Sequence, residues 1–318
     1  MSDGTPSIQS AVVIEAGSSA PIKIGVGLTR TLFGNMAIGT SETLESTTTG
    51  QQNIAIGSRA LQEITDGGNN ISIGADSMRF GTSGNGNTAI GPFTLMDNTS
   101  GNNNVAIGAG ALENNTTGSN SVAIGPNTLA ASTTSNGQVA IGSNALQDST
   151  TGTDNVAIGN DALTNNTTGD YNLAIGSNAL DTNTTGDSNL AIGFNALTAA
   201  TSASGNLAVG ANALESTTTG QGNTAIGQAA LQDNTTGADN LAIGASALAN
   251  NTTVSNQVAI GSQALTSNTT GNQNLAVGFA ALQNNTTGAR NTAVGANALF
   301  TNIIGNSNTA VGSLALQN

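Results

Sequence analysis

Asn104-Val105-Ala106-Ile107-Gly108-Ala109-Gly110-Ala111-Leu112-Glu113-Asn114-Asn115-Thr116-Thr117-Gly118-Ser119-Asn120 is one copy of a seventeen-residue unit that fills nearly the whole 318-residue chain. Its Ala-Ile-Gly tripeptide, or a close variant, ends at Gly39 and Gly57 and then at every seventeenth residue to Gly312, without a slip. The consensus is N-[VLTI]-A-[IV]-G-x-x-A-L-x-x-N-T-T-G-x-x, numbered below from Asn as position 1. Position 1 is Asn in 14 of 17 copies, and Ser121, Gln138 and Gln257 are the exceptions. Position 3 is Ala in 16 of 17, Ser72 being the other. A globular domain has no reason to keep such a period. A stacked solenoid must, because each coil copies the one below it.

Within one unit, N-[VLTI]-A-[IV]-G is β-branched and alternating, so it predicts a strand that Gly ends. A-L-x-x-N is a second, shorter apolar stretch and is expected to supply the opposing strand. N-T-T-G is turn chemistry, since Asn tolerates the left-handed region and Gly adopts it freely. No window carries helical apolar spacing, and Asn, Thr and Gly disfavour helix. The expected fold is all-β: a parallel β-solenoid or β-roll of about seventeen 17-residue coils over residues 35–318, preceded by an off-period segment, 1–34. Coils stack about 4.8 Å apart. Asn104, Asn155 and Asn172 are expected to form an amide ladder like those of cross-β stacks.

Side chains alternate across a strand, so positions 2 and 4 face one way and position 3 the other. The Val/Ile side, with Ile107, Ile158 and Ile175 beside Leu112, Leu163 and Leu180, is a natural coil interior. Ala106, Ala157, Ala174 and Ala191 then form a flat outward stripe that never carries a charge. The expectation is that another copy of the chain covers this stripe, most simply in a homotrimer about a threefold axis. A charge at Ala174 would on that reading break the trimer before the coil. The opposite arrangement, with Ala packed inside and Val and Ile outside, remains open at this point.

Composition removes whole classes of chemistry. The chain has no Cys and no His, which excludes thiol nucleophiles, His- or Cys-ligated metals, Ser-His-Asp triads and disulfides. Five cations against 18 acidic residues give a net charge of −13, so neither nucleic acid nor an anionic membrane is an expected partner. No cofactor is expected. Asp148, Asp154, Asp161, Asp170, Asp181 and Asp187 cluster in mid-chain, where a glycan-cleaving pair or a calcium site is conceivable, but their positions recur as coil-surface or turn residues. Thr-rich turns raise ice binding, though no T-x-T strand ladder exists. The N-x-T sequons at Asn115, Asn166, Asn183 and their copies read as turns. Arg79-Phe80 and Pro92-Phe93 are either a binding spot or gap-fillers near the start of the array.

Asn104-Val105-Ala106-Ile107-Gly108 and its copies resemble the N-S-V-A-I-G repeats in the heads of trimeric autotransporter adhesins. The resemblance spans residues 35–318 and implies a left-handed β-roll, a trimer and adhesion to surfaces. The coil here is longer by about a tripeptide. The repeat is also similar to those of bacteriophage fibre and appendage proteins, which are made in the host cytoplasm. No signal peptide, coiled-coil stalk or membrane anchor is read in the sequence, so the expectation is a non-enzymatic structural fibre of a virion, acting as spacer, decoration or host attachment. The alternatives are a bacterial surface adhesin head and, behind it, a glycan-cleaving tailspike. In residues 1–34, Val12, Val13 and Ile14 predict one strand and Ile22-Lys23-Ile24 another, with Lys23 and Arg30 as cations. This segment is expected either to anchor the fibre to other particle proteins or to cap the first coil.

Overall fold

The computed structural model describes residues 35–40, 42–47 and 49–317, and the backbone of 23–26. Val12, Val13, Ile14 and Arg30 lie outside the described residues, and of Lys23 only the backbone is described. The chain forms two compact units, meeting in sequence between Asn136 and Gly137. Each is a parallel β-solenoid, and neither contains a helix among the described residues.

The first unit begins with β1 (Lys23–Val26) and β2 (Met36–Gly39). One three-residue strand per coil follows: β3 (Ile54–Ile56), β4 (Ile71–Ile73), β5 (Thr88–Ile90), β6 (Val105–Ile107) and β7 (Val122–Ile124). From β2 onward the strands pair in parallel, position on position: Val105 with Val122, Ala106 with Ala123, Ile107 with Ile124. β1 pairs antiparallel with β2, so the free edge of the first coil meets a reversed strand. The second unit carries eleven such strands, from β8 (Val139–Ile141) through β9 (Val156–Ile158), β10 (Leu173–Ile175) and β11 (Leu190–Ile192) to β18 (Thr309–Val311). Its register is the same, with Leu173, Ala174 and Ile175 opposite Leu190, Ala191 and Ile192. An unbroken seventeen-residue repeat permits this in-step pairing; a one-residue slip would turn every strand inside out.

The strands are the other way round from the expected packing. Ala106, Ala157, Ala174 and Ala191 are wholly buried inside the coil. Val105 and Ile107 are half-buried on its outside, and Ile158 is 36 % exposed. Ile107, Ile158 and Ile175 are therefore outward residues, and the alanine stripe is interior, not an interface. The reason lies in the cross-section. Positions 1 and 3 share a face, and position 1 is Asn104, Asn155 or Asn172, all buried to within 1 %. Room is left beside that amide and the opposing Leu only for a methyl group.

The second apolar stretch is likewise not a strand. Residues 109–114 are turns, and Leu112 sits in the left-handed region at φ 52°, as do Leu163 and Leu180 at 53° and 54°. Holding an L-residue there costs about 1–2 kcal/mol, while burying a Leu side chain returns about 1.5–3 kcal/mol. The two nearly cancel, so the turn persists because the stack fixes it: the Leu112 N–H donates to Thr128 O of the next coil at 2.9 Å. Leu112, Leu163 and Leu180 are buried by that next coil. Leu316, with none above it in this structure, is 57 % exposed. Gly108 ends its strand at φ 128°, and a Cβ there would lie 2.5 Å from Gly125 O, so the stack needs glycine on glycine.

Ala174→Glu places a charge among the buried amides and removes the close fit of the strand. It is expected to unfold its region of the stack, at a cost of about 4 kcal/mol or more, as loss of β-sheet circular dichroism and a lowered melting temperature. Ile175→Thr, outward on the same strand, should leave the β-sheet circular dichroism unchanged.

Candidate functional surface

The interior of each coil is polar as well as apolar, and this settles the role of most side chains that had chemistry to offer. Two amides grip one carbonyl: Asn104 Nδ2 and Asn115 Nδ2 donate to Gly118 O at 2.8 and 3.0 Å. Asn155 and Asn166 do the same to Gly169 O at 2.7 and 3.0 Å. Asn172 Nδ2 also donates to Asn155 Oδ1 of the preceding coil at 3.2 Å, and Asn172 Oδ1 accepts from the Asn189 backbone N–H at 3.0 Å. The expected amide ladder is present, and a second ladder, unforeseen, runs beside it. In it Asn115 Nδ2 donates to Asn98 Oδ1 at 2.7 Å and Asn183 Nδ2 to Asn166 Oδ1 at 2.8 Å. Asn115, Asn166 and Asn183, the second-ladder residues of the sequons, are buried to within 1 %, so their amide nitrogens are structural.

The surface hydroxyls and carboxylates are bound into further ladders. Thr167 Oγ1 donates to Thr184 O at 2.9 Å, and Thr184 Oγ1 to Thr201 O at 2.8 Å. Asp170 Oδ1 accepts the Thr153 N–H at 2.7 Å, and Asp187 Oδ1 accepts the Asp170 N–H at 2.8 Å. Asp161 Oδ1 accepts from Asn144 Nδ2 at 2.9 Å. Asp148, Asp154 and Asp181 occupy three other positions of the coil, so the six acidic residues are spread around it. Among the described residues no three His, Cys, Asp or Glu side chains are grouped to hold a metal ion. Burial raises the pKa of Asp181, and the nearby Asp161 charge adds to the effect while a Thr164 hydrogen bond opposes it. Burial alone raises that of Asp97.

Two surfaces differ from this background. The first is the outer face of the strands, positions 2 and 4, which is Val, Leu, Ile, Met or Thr in all seventeen coils and never charged. The flanking position 6 is uncharged from Ser58 to Ser313 as well. The second surface lies in the first unit, on the turns after β3, β4 and β5. The buried Asp76 carboxylate takes Arg59 Nε and Nη2 at 2.7 Å each and has Arg79 Nη1 at 3.4 Å. This contact holds Arg59 still more firmly protonated than usual. Arg79 Nε donates to Gln62 Oε1 at 3.1 Å, and its guanidinium lies 4.7 Å over the Phe80 ring. Phe93, one coil further, is 44 % exposed. The interior below is filled by Leu61, Ile64, Met78 and Leu95, all wholly buried, so Phe93 fills no gap.

No protein-family model matches the chain, and comparison with curated proteins finds no match. No helix among the described residues is long and apolar enough to cross a membrane.

Where Ser132 replaces Asn in the second ladder, Ser132 Oγ and Asn115 Oδ1 are buried without a partner. Ser132→Asn should return a donor to Asn115 and stabilise the first unit by about 1 kcal/mol, read as a raised denaturant midpoint at unchanged slope. A raised carboxyl pKa means the folded state holds the proton more tightly than the unfolded chain, so stability rises as pH falls through the folded value. Asp181→Asn should therefore melt higher than the parent at pH 7, and the gap should close as pH falls towards 3.8, the ordinary value.

Proposed function

We propose that the chain is a non-enzymatic, homotrimeric β-solenoid fibre or appendage protein of a bacteriophage-like particle, serving as spacer, decoration or host attachment. The observation that carries this reading is the strand face. It presents half-buried Val105, Ile107 and their copies outward, with no charge at positions 2, 4 or 6 in any coil. Soluble monomers rarely leave so continuous an apolar strip uncovered. A cover must be apolar and must repeat at the same rise, and a second copy of the chain meets both conditions coil for coil. Three parallel chains around an axis along the stack would bury three such faces together and close the assembly.

The proposed contact face is thus the one opposite the alanine stripe that the sequence favoured. The ladders supply what a passive fibre needs: a stiff body whose backbone bonds run from coil to coil. The resemblance of the N-V-A-I-G repeat to adhesin heads and phage fibres supports both the trimer and the setting. In that setting the partners are further copies of the chain, other particle proteins through residues 1–34, and a host surface glycan or protein. The location is the virion, after synthesis in the host cytoplasm. The adhesin-head resemblance also favours a second reading, a bacterial surface adhesin, which co-purification with virions would separate from the first.

Ile158→Glu with Ile175→Glu introduces charges on the outer strand face while leaving the coil interior untouched. The parent should sediment as a trimer and the double variant as a monomer with the same β-sheet spectrum. A monomeric parent, or a variant of unchanged mass, would overturn the assembly.

A further inference from the structure

We infer that the Arg59–Asp76–Arg79–Phe93 patch is a binding site for an uncharged saccharide. As the attachment surface of a fibre it rests on the proposed function, but the site itself is built from three neighbouring coils of one chain.

Arg59, Asp76 and Phe93 occupy position 7 of consecutive coils, where the backbone is left-handed at φ 57°, 57° and 61°. Six other coils put Asn at that position, among them Asn127, Asn144 and Asn178, and the coil after Phe93 puts Gly110 there. Asn and Gly suit the left-handed region, whereas Phe and Arg do not. Phe93 therefore stands against the local backbone preference with its ring only partly covered. Residues held in an unfavourable conformation cluster at functional sites.

Asp76 is buried and fixes two guanidiniums side by side, with side chains 37 % and 31 % exposed. Their free N–H groups stay at the surface as paired donors. Phe93 offers an open ring one coil away. Gly110 beyond it carries no side chain, and Glu113 Oε2 lies 3.4 Å from where a Gly110 Cβ would stand. A flat apolar ring, a fixed donor pair and a carboxylate acceptor fit the C–H face and adjacent hydroxyls of a pyranose.

Glu63 and Asp97 take the place of Phe80 in the coils on either side, and with Asp76 and Glu113 they outnumber the two arginines. The chain as a whole is at −13. A polyanionic chain is repelled by such a surface, which excludes uronic-acid polymers and leaves uncharged saccharides as the class that the ring and the donor pair fit. The patch lies on the turns after the strands, off the strand face itself.

The test is an array of uncharged and uronic-acid oligosaccharides, followed by NMR titration of the strongest binder against the parent, Phe93→Asn and Arg79→Gln. At least one uncharged oligosaccharide should bind the parent. Phe93→Asn should weaken it tenfold or more while melting no lower than the parent, since Asn relieves the backbone. Arg79→Gln should weaken it several-fold. Absence of uncharged ligands, preference for oligogalacturonate, or a Phe93→Asn that binds as the parent does would each overturn the site. Sedimentation of the same samples keeps the two readings apart: a trimer that binds no sugar retires the site alone, and a monomer that binds one retires the trimer alone.

Discussion

A carbonyl shared by two buried amides sets the dimensions of this molecule. In coil after coil, Gly118 O, Gly169 O or Gly186 O receives one Nδ2 from position 1 and one from position 12. The bond pair ties the strand entry to the far turn across a narrow cross-section. It also fixes what else fits: a methyl at position 3, a single Leu at position 9, glycine where coils touch. The amide oxygens then reach the next coil, as Asn172 Oδ1 does to the Asn189 N–H, so the bond that closes one coil also positions its neighbour. Buried amides left unpaired would each cost about 1–3 kcal/mol. Repetition without a slip is what keeps nearly all of them paired.

This explains how an apolar content of 37 % with only seven aromatics holds a fold with eighteen strands among the described residues. The usual source of stability, a thick hydrophobic core, is absent. In its place most coils bury one Leu and two Ala, and satisfy their polar interior through the coils beside them. Stability is then nearly a sum of coil and neighbour terms. Interruptions are felt locally, as at Ser132, where a shorter side chain leaves its own hydroxyl and the Asn115 carbonyl without partners. The hydroxyl and carboxylate ladders at the surface, through Thr184 and Asp187, belong to the same scheme and leave those groups little freedom for other chemistry.

The period made the stack, its register and one amide ladder legible in the sequence, because only a repeating structure needs a repeating chain. What stayed hidden was which face of the strand turns inward. Uniform Ala at position 3 fits a tight interior and a flat interface equally well. The deciding clue was Asn at position 1: alternation puts it on the same face as Ala, and an amide ladder that also grips Gly118 O has to be inside. The left-handed Leu112 was not legible, since nothing in Leu announces positive φ; tertiary stacking overrides its preference. The Asp76 fork and the exposure of Phe93 were likewise invisible, although Arg79-Phe80 and Pro92-Phe93 stood out as departures from the repeat.

The inverted packing has a consequence for how the surface is divided. With methyl groups inside, the β-branched residues that stiffen each strand must face outward, where Val and Ile suit an extended backbone. The coil therefore pays for strand regularity with an apolar face, and every charge in the chain's seventeen coils is kept away from positions 2, 4 and 6. Charges gather instead on the turns, at positions such as those of Asp76, Asp170 and Asp187. One side of the coil is thus apolar and uncharged, and the charges lie on the others. Departures from the repeat, such as Phe93, are tolerated on the turn sides because there they disturb neither the shared carbonyl nor the strand face.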